Sequence, residues 1–187
     1  VYDNSKGKDY GTEGNKLLEN TYKSFSRNGA LLQGDDREKY KKLSSRLSEL
    51  TTTFGQNVLK ELNTYEIWLT ADDLAGLPES TVEAAAKAAA DKGRKGEYLF
   101  TLDQPVYSAF LKYSSRPDLR EKMWRLYNSR NIQGQYSNIE VMKEIADTRR
   151  QIANLLGYPT YAAYSLENST ARTPENVYNL LNNLTEA

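Results

Sequence analysis

Two adjacent acidic pairs, Asp35-Asp36 and Asp72-Asp73, are the residues that could do acid–base chemistry without a histidine. Paired carboxylates serve as acid and base, or as acid and nucleophile, in the hydrolysis of glycosides. Both pairs stand at or just before the start of a helical segment, where a carboxylate interacts favourably with the helix dipole. We therefore interpret them as helix caps in preference to a catalytic pair.

Basic and aromatic side chains near the C-terminus are candidates for recognition. Arg149-Arg150 could bind a carboxylate in a bidentate manner, but one of two adjacent helical residues normally points to solvent, which favours a solvated helix face. Tyr158, Tyr161 and Tyr164 could line a ligand groove. Their spacing by three predicts a single helical face, and packing in the core is the favoured interpretation.

The chain contains no histidine and no cysteine among its 187 residues. This excludes Ser-His-Asp and Cys-His nucleophiles and a His-Glu-x-x-His zinc motif. Oxygen ligands alone suit magnesium or calcium better than zinc. We therefore assign no catalytic and no metal-binding residue, and leave the substrate-binding residues unassigned. The chain by itself is expected to bind no zinc stoichiometrically and to cleave no peptide.

The composition, 39% hydrophobic and 27% charged, is typical of a soluble globular protein. Lys and Arg number 25, as do Asp and Glu, so the formal net charge is zero. This balance argues against nucleic acid as a partner. No apolar run approaches the roughly 20 residues that span a bilayer, which argues against a membrane partner.

The apolar pattern predicts a mainly α fold, a helical bundle with a small two-strand excursion. Residues 1–14 are polar and predicted to be a flexible loop, and residues 15–187 are predicted to be a helical region with an α+β excursion at about 65–102. The predicted strands are Glu66–Thr70 and Tyr98–Leu102. The first predicted helix is Asn15–Asn28, which Gly29 ends, and the second opens at Asp35-Asp36 and runs to Leu62. The helices predicted after it are Pro78–Asp91, Pro105–Tyr113, Pro117–Arg130, a helix from Asn138 that Gly157 ends, Thr160–Glu167 and a last helix that begins at Pro174.

Helix starts and packing are also predicted from local pattern. Ser137 and Glu140 have the spacing of a capping box, and Thr160 and Thr173 precede helices as caps. The helix that opens at Asp35 has a heptad-like apolar seam, which indicates either a coiled coil or a long helix in a bundle. The seam drifts to steps of four, so the bundle is favoured.

Several segments, taken together and in order, resemble the thimet oligopeptidase family of zinc metallopeptidases, with the peptidyl-dipeptidases (dipeptidyl carboxypeptidases) as the nearest group. The resemblance covers nearly the whole chain. One departure is Asn168–Ala171, where relatives tend to have a Met-Ala pair. The segments that carry the resemblance are Lys23–Leu32, Leu47–Thr51, Phe54–Leu59, Asp73–Pro78, Phe100–Pro105, Tyr113–Arg116, Leu119–Lys122, and Arg149–Leu184 with Ala153–Tyr158 and Thr173–Tyr178 inside it.

The resemblance implies a neurolysin-like helical fold and a parent protein that uses zinc to release dipeptides from the C-terminus of oligopeptides. The family's His-Glu-x-x-His helix is absent and the chain begins with Val1, so we expect a fragment that forms channel wall and substrate-access region, not the catalytic centre. Two alternatives are open, a non-catalytic helical interaction module and an oligoendopeptidase of the same family. The compartment is open between the bacterial cytoplasm and the periplasm or cell envelope.

The last predicted helix has an apolar stripe formed by Val177, Leu180, Leu181 and Leu184. If the chain is a fragment, the stripe is expected to face the missing C-terminal catalytic half of the peptidase. Exposed apolar patches of a few hundred Å² drive association, so self-association through this helix is expected. The alternative is that the stripe folds back onto the chain's own core.

Overall fold

The computed structural model describes residues 2–5 and 7–186. Val1 and Lys6 of the predicted loop, and Ala187 at the end of the predicted helical region, lie outside these residues. The described residues form eight α-helices and one two-stranded sheet, so the prediction of a mainly α fold is confirmed. In this part of the chain no helix is long and apolar enough to cross a membrane.

The helices and strands follow the chain in a simple order, with the two strands separated by one helix. The helices are α1 Gly11–Arg27, α2 Gly34–Leu62, α3 Glu79–Asp91, α4 Gln104–Tyr113, α5 Pro117–Asn128, α6 Ile139–Leu155, α7 Tyr161–Leu166 and α8 Pro174–Glu186, and the strands are β1 Ile67–Leu69 and β2 Tyr98–Phe100.

The first helix begins at Gly11, earlier than the predicted Asn15, and Asp3–Ser5 form one turn of 3-10 helix inside the predicted loop. Hydrogen bonds of a polar side chain explain the early start of α1. Asp9 Oδ1 accepts hydrogen bonds from the Gly11 backbone N at 2.9 Å and from Asn15 Nδ2 at 2.8 Å. This turn carries no apolar periodicity, so the sequence pattern missed it. The flexibility of residues 1–14 stays a prediction.

The predicted long helix is one continuous helix, α2, of 29 residues with Asp35 and Asp36 in its first turn. Before it, Gly29 ends α1 with a φ of +79°. A Cβ at that position would lie 3.0 Å from the Tyr40 ring. Glycine is therefore required both by the left-handed backbone and by the close approach of the Tyr40 side chain.

The described residues form two compact units. The first combines the residues up to Leu50 with those from Glu144 onward, and contains α1, the start of α2, most of α6, α7 and α8. The second, Thr51–Lys143, contains the end of α2, both strands, α3, α4, α5 and the start of α6.

The second unit has its core around the two strands. They pair antiparallel, with Ile67 opposite Phe100 and Leu69 opposite Tyr98, and α3 packs on β2. Both predicted strands are confirmed but are shorter than predicted, because Thr70 already caps the next helical turn and Thr101 bonds Asp103. The buried core residues are Ile67, Leu69, Ala85, Phe100, Leu102, Tyr107, Phe110 and Met123.

The start of α6 is held by a network that differs from the predicted capping box. Glu140 pairs with Lys143 instead of reaching back to Ser137, whose backbone N bonds the Gly134 carbonyl. The side chain next to it, Asn138, is 1% exposed and donates to the Phe54 carbonyl at 3.2 Å. The predicted helix start is therefore confirmed, but the predicted capping box is wrong because a buried asparagine takes the anchoring role.

Candidate functional site

The acidic pair Asp72-Asp73 is part of a helix cap. Asp73 Oδ2 accepts hydrogen bonds from the backbone N and the hydroxyl of Thr70, both at 3.0 Å, and Asp73 Oδ1 bonds Arg116 at 2.6 Å. The hydrogen bond from the Thr70 backbone N–H, followed by that from its hydroxyl and by the Arg116 charge, lowers the pKa of Asp73. A carboxylate held ionised in this way is a poor general acid, so the cap interpretation is confirmed.

The other pair, Asp35-Asp36, lies in the first turn of α2 and is exposed. A negative charge in a first helical turn is stabilised by the unpaired backbone N–H groups there. Asp35 and Asp36 therefore lie at the start of a helix, as predicted for residues that cap it.

The two adjacent arginines have different surroundings. Arg150 is exposed and bonds Asp147 at 2.6 Å, which confirms that one of the pair points outward. Arg149 is half-buried, with its guanidinium carbon 5.3 Å from the centre of the Tyr161 ring. Its Nε is buried and has no hydrogen-bond partner among the described residues.

The three tyrosines do not form one helical face. Tyr158 precedes α7, which begins at Tyr161 after the cap residue Thr160. The prediction of a single face is wrong because the Gly157-Tyr158-Pro159 turn interrupts the helical spacing. The rings still meet, since Tyr164 lies 5.2 Å from Tyr158 and 5.8 Å from Tyr161. All three are half-buried.

Arg27, in the last turn of α1, is the centre of this tyrosine group and was not singled out by the sequence. Its Nη2 donates to the Tyr164 carbonyl at 2.7 Å, and its Nη1 donates to Glu167 and to the Tyr158 hydroxyl at 3.2 Å. The guanidinium carbon also lies 4.2 Å from the centre of the Tyr164 ring. We call Arg27, Tyr158, Tyr164 and Glu167 the Arg27 cluster.

The electrostatics of the Arg27 cluster keep its carboxylate charged. The Tyr158 hydroxyl donates to Glu167 Oε2 at 2.6 Å, and this bond, followed by the bond from Arg27, lowers the pKa of Glu167. Burial, followed by the hydrogen bond to Glu167, raises the pKa of Tyr158. With the charges matched inside it, the cluster joins α1 to α7 and offers no free acid or base.

A second polar group, in the other unit, was also missed by the sequence pattern. Asn131 is 8% exposed, and its Nδ2 donates to the carbonyls of Asn57 at 3.0 Å and Tyr136 at 2.8 Å. Asn57 Nδ2 donates to Asn138 Oδ1 at 2.9 Å. Buried amides with all these partners hold a loop rigidly, so we interpret the group as structural.

Zinc coordination does not fit the residue types of this chain. It lacks histidine and cysteine, the usual zinc ligands. Within residues 2–5 and 7–186 no group of three or more acidic residues is placed to hold a metal ion. The residues present therefore do not fit a zinc site.

Comparison with known proteins places these features in a family. Residues 110–187 match the model of peptidase family M3. Oligopeptidase A of Haemophilus influenzae is 37% identical over 184 residues, which are 95% of this chain and 27% of that protein. Oligopeptidase A of Escherichia coli is 35% identical over 175 residues, 90% of this chain and 26% of that protein.

The chain is therefore similar to peptidase family M3. It spans about a quarter of the length of the curated relatives that it matches. The predicted resemblance to this family is confirmed at this level, but the finer likeness to dipeptidyl carboxypeptidases is not. Dipeptidyl carboxypeptidase of Escherichia coli is 29% identical over 94% of this chain and 26% of that protein. This identity is lower than that of the two proteins named oligopeptidase A.

Proposed function

We propose that this chain is the non-catalytic part of a zinc metallopeptidase that hydrolyses oligopeptides, and that it forms channel wall and substrate-access region. One observation carries the proposal: the chain is similar to oligopeptidase A along 95% of its length although it has no histidine or cysteine. Because the chain is similar to a peptidase but lacks zinc ligands, the similarity supports a role in shaping the substrate site. A narrow channel favours short, unstructured peptides because a folded protein cannot enter it.

The described contacts are consistent with a framework role. The Arg27 cluster joins helices far apart in sequence, and the asparagine group around Asn138 anchors the loop before α6. Both are internally satisfied and neither presents a free nucleophile or base. The donor set does not fit zinc, so we derive no catalytic step from these residues and propose that the metal ligands belong to a catalytic half outside this chain.

Two specificities are proposed for the whole enzyme. Release of dipeptides from the C-terminus is supported by the sequence resemblance and by the relative named dipeptidyl carboxypeptidase. Internal cleavage of oligopeptides is the second candidate, supported by the higher identity to the relatives named oligopeptidase A.

The two specificities can be separated with one peptide in two forms. The full-length enzyme is incubated with an unstructured peptide that has either a free or an amidated C-terminus, and the products are identified by mass spectrometry. A dipeptide-releasing enzyme cleaves only the free form, whereas an internal peptidase cleaves both. Activity is expected to disappear with a chelator and to return with added zinc. A full-length, zinc-loaded protein that leaves both peptides intact would contradict the proposed function.

The rival class is a non-catalytic helical interaction module. The reading frame after Ala187 separates the two, since a His-Glu-x-x-His helix there favours the enzyme and a stop codon favours the module. The isolated chain is expected to bind no zinc one-to-one after dialysis, measured by elemental analysis. Stoichiometric zinc would contradict the assignment of the metal to a separate half.

A further inference from the structure

Arg172 lies where two cavities of the first unit share residues. A polar cavity of about 530 Å³ is lined by Lys16, Asn20, Lys23 and Asn168, and also by Glu167 and Arg172. A mainly apolar cavity of about 610 Å³ has Glu167 and Arg172 in its lining as well. Its apolar residues include Pro159, Ala162, Ala163 and Pro174. Arg172 and Glu167 therefore border both the polar and the apolar cavity.

The charges around this junction leave Arg172 available. Its guanidinium has no hydrogen bond or ion pair in the described part of the chain, and neither do the side-chain amides of Asn20 and Asn168. Two nearby carboxylates are already occupied, because Glu19 binds Lys16 and Lys23 and Glu167 binds Arg27 and Tyr158.

A third acidic residue must be counted beside Glu19 and Glu167. Glu175, in the first turn of α8, also lines the apolar cavity. Four cations, Lys16, Lys23, Arg27 and Arg172, thus stand against the three carboxylates Glu19, Glu167 and Glu175, which leaves an excess of positive charge. An anion bound there gains attraction from Arg172 and hydrogen bonds from the two amides.

The backbone at Arg172 is held in an uncommon conformation. Its φ is +62°, in the left-handed region that non-glycine residues seldom adopt. Three hydrogen bonds hold the turn: Arg172 N to Ser169 Oγ at 3.3 Å, Thr173 N to the Ala171 carbonyl at 2.7 Å, and Asn176 Nδ2 to the same carbonyl at 2.8 Å. The backbone of Arg172 is therefore held by its own turn, and its side chain is exposed.

We propose that this junction binds a small amphipathic anion, with an oxyanion at Arg172, Asn20 and Asn168 and an attached apolar group in the cavity beside Pro159 and Ala163. The proposal goes beyond the proposed peptidase activity and uses none of its catalytic groups. A carboxylate and a phosphate monoester present the same oxyanion chemistry, so both are tested.

The test is a titration of the 187-residue chain followed by backbone amide NMR. Hexanoate and hexyl phosphate are the probes, and hexanamide and acetate are matched controls that lack the charge or the apolar group. We expect saturable shifts in residues 158–175 and 16–24 with at least one probe, and binding at least about tenfold weaker for both controls. The stronger of the two probes identifies the preferred oxyanion.

Two variants, with a third as control, locate the site. Arg172→Gln keeps a non-glycine residue at the strained position and removes only the charge, so the affinity should fall at least about tenfold. Arg125→Gln removes an exposed arginine of the other unit and should change nothing. Ala162→Asp adds a negative charge to the apolar cavity and should also abolish binding. Circular dichroism checks that each variant is folded. Equal binding of hexanamide and the stronger probe, unchanged affinity in folded Arg172→Gln, or no saturable shift with either probe would overturn the proposal.

Discussion

Gly76 is the residue at which the local backbone most strictly requires glycine. Its φ is +86°, and a Cβ placed there would lie 2.3 Å from the Tyr113 carbonyl oxygen and 2.7 Å from Ser115 Oγ. The two segments are joined by a hydrogen bond from Ser115 N to the Ala75 carbonyl at 2.8 Å. Side chains are therefore excluded by backbone atoms that cannot easily move.

Gly76→Ala is expected to destabilise the protein by more than Gly93→Ala does. Gly93 has a similar φ of +78° but nothing within 4 Å of a Cβ, so its substitution costs only the left-handed strain of about 1 kcal/mol. At Gly76 the clash adds about 1–3 kcal/mol. Urea unfolding of both variants measures the difference. Equal losses would contradict the role of the close backbone contact.

Glu167 is expected to make the stability of the Arg27 cluster depend on pH. Its pKa is lowered in the folded state, so its contribution is present above the ordinary value near 4.5 and is lost as the pH falls through the lower folded value. Glu167→Gln should therefore cost about 0.5–1 kcal/mol at about pH 7, since the carboxylate is partly exposed, and less at about pH 3.

The measurement for Glu167 is denaturant unfolding at both pH values, with hydrogen exchange of α7 to localise the effect. Glu121→Gln, which removes an exposed ion pair with Arg125, is the control and should have little effect at either pH. A loss in Glu167→Gln that is the same at both pH values would show that the charge is not what holds the cluster.

At the scale of elements, α6 and the loop before it depend on asparagine side chains in the second unit. Asn138 is 1% exposed and bonds the Phe54 carbonyl and Asn57, while the backbone N of Asn131 donates to Glu61 Oε2 at 2.7 Å. Glu61 in turn accepts from the Tyr65 hydroxyl at 2.8 Å. Burial, followed by this hydrogen bond, raises the pKa of Tyr65 to about 12.

Asn138→Ala is expected to destabilise the protein by about 1–3 kcal/mol, because it leaves the half-buried Asn57 amide without its partner and removes a bond to the Phe54 carbonyl. Asn128→Ala is the control. Asn128 is exposed and bonds only the Trp124 carbonyl, so its loss should stay within about 0.5 kcal/mol. Chemical denaturation measures both. A loss at Asn138 no larger than at Asn128 would contradict the structural role of the asparagine group.

At the scale of the whole molecule, the predicted apolar stripe of α8 is largely exposed. Leu180 is 61% exposed, Leu181 50% and Leu184 65%, whereas Val177 is half-buried. The adjacent Tyr178 is 65% exposed. The stripe therefore does not fold back onto the chain's own core in the described residues. Association through it, with a second copy or with the catalytic half, stays a prediction.

The isolated chain is expected to dimerise as its concentration rises, and Leu181→Asp is expected to abolish the dimer by placing a charge in the apolar contact. Asn179→Asp is the matched control, because it adds the same charge to the opposite face of α8 and should leave the dimer intact. Light scattering over a range of concentrations measures both. A chain that stays monomeric at all concentrations would contradict self-association.

Much of the fold could be predicted because it depends on local chemistry. Apolar spacing, short runs of aromatic and branched residues, and proline or threonine at helix starts placed α2 through α8 and the two strands. Threonine hydroxyls mark two of the helix starts: Thr160 accepts from Ala163 N at 3.0 Å and Thr173 from Asn176 N at 3.3 Å. The absence of histidine and cysteine excluded whole classes of catalysis. The resemblance of several segments, in order along the chain, also indicated the family.

Only the tertiary structure decided which polar side chains meet. Arg27 and Glu167 are separated by 140 positions and Asn138 and Phe54 by 84, so no periodic pattern links them. Tyr158 has helical spacing to Tyr161 but lies outside α7, because the turn at Gly157 and Pro159 overrides that spacing. Local propensity acts over a few residues, whereas a buried charge or amide is satisfied by whichever partner the packed helices bring within about 3 Å.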